Sequence, residues 1–143
     1  MKSVRVKRLS SSVSLPRYES EGAAAFDLAA AADITIPPGQ VALVSTGLVI
    51  EVPRGMFLGI FARSSTPLKR GLMVANGVGI VDPDYCGPED EVKIAVLNFT
   101  QVPVRVAAGD RIAQGVFLPA TRVNWEEVET VRTHSRGGFG STG

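Results

Sequence analysis

At 143 residues, 45% hydrophobic and 20% charged, the chain has the composition of one globular domain with a single core. Fifteen basic against fourteen acidic side chains leave a net charge of +1, which calls for neither nucleic acid nor an anionic membrane as partner. One cysteine excludes an internal disulfide, and one histidine removes the usual zinc constellations, so any metal is a hard, oxygen-liking ion.

The opening MKSVRVKRLS is basic but lacks the apolar run of a signal peptide, and no segment reaches transmembrane length. A soluble cytoplasmic protein is the expectation. Val4 to Leu9 alternates apolar and basic residues, the period-2 pattern of a half-buried strand. After a polar connector, AAAFDLAAAA ends at Ala32. Propensity alone makes that tract a helix. Gly22 before it, Asp27 within it and the strand-like sequence that follows argue against one.

From Ile34 onward, short runs of Val, Ile and Phe alternate with turn residues. Strands are predicted at 34–36, 41–45, 48–52, 56–61, 92–98, 102–106 and 112–118. Glycines at 39, 55, 71 and 87 fall sixteen apart, a rhythm that suits a strand pair per interval. The reading is all-β: a sandwich, jelly roll or barrel.

Two stretches carry chemistry. In Arg63-Ser64-Ser65-Thr66-Pro67-Leu68-Lys69-Arg70-Gly71, Pro67 is read as the first residue of one helical turn that Gly71 closes. Arg63, Ser64 and Ser65 then gather a guanidinium, hydroxyls and free backbone N–H groups where a phosphate can bind. The alternative is a plain helix cap. In Gly71 to Gly87, two apolar runs flank Asn76-Gly77, which predicts a β-hairpin with a type I′ turn. Its second arm delivers Asp82, Pro83, Asp84 and Tyr85, the floor of a small-molecule pocket or else a solvated surface. Gln114 falls on a core strand and needs a hydrogen-bond partner. Residues 132–143 hold glycines, hydroxyls, basic residues and Phe139, a composition that cannot form a core and is read as a flexible arm. The arm either frays or closes over a ligand, Phe139 stacking on a flat ring and Arg136 gripping an anion.

In order, the chain carries GAAAFDLAA around Asp27, ARSS at 62–65, NGVGIVDPDYCG at 76–87, GDRIAQ at 109–114 and GGFGSTG at 137–143. With these motifs it resembles the trimeric deoxyuridine triphosphate nucleotidohydrolases, the dUTPases, over nearly its whole length. The resemblance implies a jelly-roll-like β domain over 1–131, a C-terminal arm over 132–143, and a homotrimer whose active sites form between subunits. It implies Mg²⁺-dependent hydrolysis of dUTP to dUMP and pyrophosphate, which keeps uracil out of DNA and supplies dUMP. Asp82 matches the carboxylate that activates the attacking water. Arg63, Ser64, Ser65 and Gln114 match phosphate contacts, and Asp27 an acid that holds magnesium through water. Asn76 and the backbone of Gly79, Ile80 and Val81 match the uracil reader, Tyr85 the ring under the deoxyribose, and Lys93 a further substrate contact. Phe139 matches the residue that stacks on the base.

The sequence departs from that pattern at two places. The family's arginine five residues before the tail phenylalanine is here His134. Arg132 and Arg136 share its side of an extended arm, so either can cover the γ-phosphate, and Arg136 is the one favoured. Pro88-Glu89-Asp90 lengthens the turn ahead of Lys93 and is expected to shift it. A deoxycytidine triphosphate deaminase of the same fold and a non-catalytic β module are the competing readings.

Overall fold

The computed structural model describes residues 3–143. Among them are the strands β1 (Val6–Arg8), β2 (Phe26–Ala29), β3 (Ile34–Ile36), β4 (Val41–Ser45), β5 (Leu48–Ile50) and β6 (Met56–Ala62). The helix α1 (Ser65–Arg70) follows, then β7 (Leu72–Val74), β8 (Gly79–Val81), β9 (Lys93–Asn98), β10 (Val104–Val106) and β11 (Arg111–Pro119). A four-stranded sheet runs β2-β11-β6-β8 and a three-stranded sheet β4-β9-β7, with the pairs β1-β5 and β10-β3 completing the shell. Every pairing is antiparallel. Leu28, Leu58, Ile60 and Ile112 from the first sheet meet Val44, Leu72, Ile94 and Val96 from the second in one core. The fold is all-β and jelly-roll-like.

The alanine tract forms β2. Phe26 and Leu28 are buried while Asp27 and Ala29 are half-buried, so alternation across the sheet overrides helix propensity. β2 lies close on β11 because Gly115 faces the Phe26 ring. A Cβ at Gly115 would come within 2.5 Å of Phe26 Cζ. That close approach sets Asp27 beside Gln114 in the ladder.

Two expectations are corrected. The glycine rhythm does not mark local strand pairs: among the described residues no strand pairs with its neighbour in sequence. The predicted hairpin does not close either. β7 pairs with β9, β8 pairs with β6, and the two arms belong to different sheets. The turn also differs. Gly77 has φ 74° and Asn76 keeps a negative φ, whereas type I′ needs positive φ at both. The Gly77 N–H donates to the Val74 carbonyl and the Val78 N–H to the Asn76 carbonyl, a compact reversal that passes the chain between layers.

Candidate active site

The strand pairings bring three of the predicted residues together. Asp27 on β2 stands opposite Gln114 on β11, and Gln114 stands opposite Phe61 on β6. Arg63 follows directly after β6. Its Nε lies 2.9 Å from Asp27 Oδ1, and Arg111 Nη1 lies 3.2 Å from Asp27 Oδ2. The Asp27 side chain is only 17% exposed, so its charge is shared between two guanidiniums and not with bulk water. Gln114 Nε2 donates to the Ala62 carbonyl at 3.0 Å, which gives the strand glutamine the partner it needed. A cavity of about 450 Å³ opens beside this cluster, lined in part by Ser12, Ser14, Arg17, Glu19, Asp27 and Arg111.

α1 begins at Ser65, two residues earlier than Pro67 predicted. Ser64 occupies the cap position with helical φ and ψ and makes no side-chain cap hydrogen bond. The hydroxyl that fixes the turn belongs to buried Thr66. It accepts from the Arg63 N–H at 3.0 Å and donates to the Ile112 carbonyl at 2.9 Å. Ser64 therefore presents its hydroxyl to solvent beside Arg63. Gly71 ends the helix at φ 65°, as the sequence indicated.

The splayed arms leave both strands at sheet edges. β8 is an edge strand of its sheet and β7 an edge strand of the other. The side of β8 turned away from β6 has no strand partner among the described residues. Its backbone groups are open to a planar ligand, with Asn76 exposed at the turn before them. A closed hairpin would have consumed part of this edge.

Asp82 follows β8 with its side chain exposed. Its carbonyl accepts from the Tyr85 N–H at 3.2 Å, and Pro83 holds the backbone of Asp82 in the extended region. The Tyr85 hydroxyl donates to the Glu91 carbonyl at 3.0 Å, which ties the side chain to the segment leading into β9. The lengthened turn closes on itself: the Gly87 N–H donates to Asp90 Oδ2 at 2.7 Å, and the Asp90 N–H donates to the Gly87 carbonyl at 3.2 Å. Lys93 begins β9 in register with Ser45 and is exposed.

One chain does not bring Asp82 to Asp27 and Arg63. Val81 pairs with Leu58, which puts Asp82 four residues along β6 from the Phe61–Gln114–Asp27 row. Four strand residues span about 13 Å, and the three strand spacings from β8 to β2 add about 14 Å across the sheet. The tail stands apart from both groups. The Ala120 N–H donates to the Gly55 carbonyl at 2.9 Å, and residues 121–143 beyond it are exposed throughout, Arg136 and Phe139 among them.

No group of three or more His, Cys, Asp or Glu side chains arranged to hold a metal ion occurs among the described residues. Asp27 is a single carboxylate with both oxygens already facing arginines. That donor set does not suit an all-protein cage. It does suit a magnesium ion that keeps its waters and takes its remaining oxygens from substrate phosphates.

Asp110, in the turn before β11, accepts from the Ala107 N–H at 2.9 Å and from Arg70 Nη1 at 3.0 Å. The backbone N–H first, and Arg70 after it, hold its carboxyl below the usual range. A carboxylate with a lowered native pKa stabilises the fold above its unfolded pKa, and that contribution is lost as pH falls through the native value. Asp110→Asn is expected to melt below the parent at neutral pH. The gap should narrow as pH falls below the usual aspartate range and the parent's carboxylate takes up its proton. Melting curves across pH check this.

The family model for dUTPase matches residues 11–143. The chain belongs to the dUTPase family. It is 44% identical to the deoxyuridine 5'-triphosphate nucleotidohydrolase of Desulfitobacterium hafniense, over 100% of this chain and 99% of that one. With the enzyme of the same name from Desulfotalea psychrophila it shares 41% identity, over 95% and 91% of the two chains. The dUTPase crystal structure from Streptococcus mutans superposes with a TM-score of 0.76 at 34% identity, covering 84% of this chain and 98% of that one. The dUTPase of Staphylococcus bacteriophage 80alpha, solved with dUPNHPP, superposes at TM-score 0.87 over 100% of this chain and 99% of its own. At 22% identity that likeness speaks to the dUTPase fold alone.

Proposed function

We propose that the protein hydrolyses dUTP to dUMP and pyrophosphate as a homotrimer, with each active site assembled from parts of different subunits. The division of the site residues within one chain carries this reading. Asp27, Arg63 and Gln114 form one group, Asp82 and Tyr85 lie well away, and the arm with Phe139 reaches neither. Copies of the chain supply what one copy separates. Apolar surface left outside the fold supports the assembly: Val41, Leu43, Met73, Ile80 and Trp125 are all exposed.

In this reading the open edge of β8 and Asn76 take the uracil. Donors and acceptors fixed for uracil meet a mismatched pattern in cytosine and leave polar groups unpaired, a strong basis for rejection. Tyr85 packs under the deoxyribose, where a 2′-hydroxyl has no room. Lys93 approaches the substrate from the start of β9. Arg63, Ser64, Ser65 and Gln114 take the phosphates, and Asp82 accepts a proton from the water that attacks the α-phosphorus. The arm closes over the complex, Phe139 on the base and Arg136 on the γ-phosphate. Mg²⁺, held by the phosphates and through water by Asp27, would offset charge on the departing pyrophosphate. The chain is assigned to the cytoplasm, and no helix among the described residues is long and apolar enough to cross a membrane.

The test is pyrophosphate release from dUTP, dCTP, dTTP and UTP, each with Mg²⁺ and with a chelator. Release from dUTP alone, abolished by chelation, is expected. Ammonia from dCTP would instead indicate a deaminase, and retention of dUTP without turnover a binding protein.

A further inference from the structure

We propose that Arg111 is a positioning residue for this reaction, one that fixes Arg63 and Asp27 in the arrangement that receives the triphosphate. The proposal rests on the reading of Arg63 as a phosphate ligand. Three residues close a ring: Arg63 Nε meets Asp27 Oδ1, Asp27 Oδ2 meets Arg111 Nη1, and the Arg111 carbonyl accepts from Arg63 Nη1 at 3.2 Å. Arg111 thus acts on Arg63 twice, through its own backbone and through Asp27. Two of the three guanidinium nitrogens of Arg63 are committed to the protein, and Nη2 is left to meet a ligand. A long side chain that would otherwise sample many rotamers is set in one direction before the substrate arrives.

The backbone is shaped to put Arg111 there. Along β11 and β2, Gln114 opposes Asp27 and Ala113 opposes Leu28, but Ala29 is opposed by Arg111. This β-bulge skips Ile112 and turns it inward with Ala113, both fully buried. Without the bulge, Ile112 would stand opposite Ala29 on the outer face and Arg111 would point into the core. The irregularity therefore delivers one cation to the face that carries Asp27 and Gln114. A second layer steadies it: Arg111 Nη2 lies 3.4 Å from Glu19 Oε1, which also accepts from Arg17 Nε at 3.2 Å. A role confined to holding β2 on β11 does not require this, because the ladder and the Phe26–Gly115 contact already join those strands.

The experiment measures kcat/KM for dUTP and the melting temperature of Arg111→Met, Arg111→Lys, Arg63→Met and the Arg63→Met/Arg111→Met double variant. Arg111→Met is expected to lower kcat/KM about 10–100-fold, the usual cost of losing a group that orients a ligand-binding side chain. The melting temperature should stay near the parent's. Lysine should restore only part of the loss, because an ammonium cannot reproduce the guanidinium fork. The decisive result is non-additivity: in the Arg63→Met background, removing Arg111 should cost little more. Additive losses, or an unchanged Arg111→Met enzyme beside an impaired Arg63→Met enzyme, would overturn the proposal and leave the phosphate assignment standing. An unimpaired Arg63→Met enzyme would remove the assignment and the proposal together. If Arg111→Met does not fold, Glu19→Gln loosens only the outer tether. It should give a smaller loss that disappears in the Arg63→Met background, and persistence of that loss there would count against the proposal.

Discussion

Asp82→Asn is expected to bind dUTP much as the parent does and to turn it over roughly 10²–10⁴-fold more slowly, the range for removing a general base. Asparagine preserves the shape of the side chain and removes its ability to take a proton. The backbone that aims residue 82 depends on Pro83 and on the Tyr85 N–H to Asp82 carbonyl bond, neither of which the substitution touches. Binding should therefore survive, and equilibrium binding of dUpNHpp beside single-turnover kinetics with dUTP separates the two quantities. Asp84→Asn is the matched control. Asp84 lies two residues on and lines a different depression, with Arg5, Glu51, Arg54 and Cys86. Its loss should leave turnover near the parental value. Equal losses at both positions would mean that the exposed acids act through bulk charge, and normal turnover in Asp82→Asn would end its assignment as the base.

The parts of the fold that could be read from the sequence are those fixed by local chemistry. Strands at 34–36 and 41–45 fall where their apolar runs and flanking turns put them, and Gly71 ends α1 because the turn needs a left-handed residue. Strand partners are set by packing across the whole domain. Asn76-Gly77 looked like a hairpin because short-range rules assume that two adjacent strands pair. β7 and β8 instead find β9 and β6, and one side of β8 is left open. The candidate site shows the same division. Asp27, Arg63 and Gln114 stand in polar motifs that the sequence displays openly. Arg111 lies inside one of those motifs, but its face is not legible there, because a one-residue bulge decides which face it joins and no residue type announces that bulge. Thr66, the hydroxyl residue ahead of Pro67, carries no sign of a long-range role in the sequence. Its role in pinning Arg63 to β11 depends on a strand more than forty residues away.

Removing Phe139 to Gly143 is expected to lower turnover of dUTP by at least about 10²-fold, the scale of loss when a reacting complex is no longer held in place. The β domain should keep its melting behaviour. The second half of that expectation follows from where the core ends. The last strand finishes at Pro119, the last backbone bond to the body is Ala120 N–H to the Gly55 carbonyl, and no core residue comes later. The first half follows from the local shape of the tail. The Ser141 N–H donates to the Gly138 carbonyl at 3.1 Å, and the two residues between them have positive φ, 52° at Phe139 and 86° at Gly140. A bulky residue adopts that region at a cost, and such strain collects at ligand clamps. The turn holds the Phe139 ring out from its own chain, where it has nothing of its own subunit to cover. In the proposed trimer, a neighbouring subunit's nucleotide would give it a flat partner. Phe139→Ala should reproduce most of the truncation, whereas Phe139→Trp, which keeps a stacking face, should retain much of the activity. Rates unchanged by both truncation and alanine would mean that the site closes without the arm, and a collapse of the melting transition would mean that the tail belongs to the folded body after all.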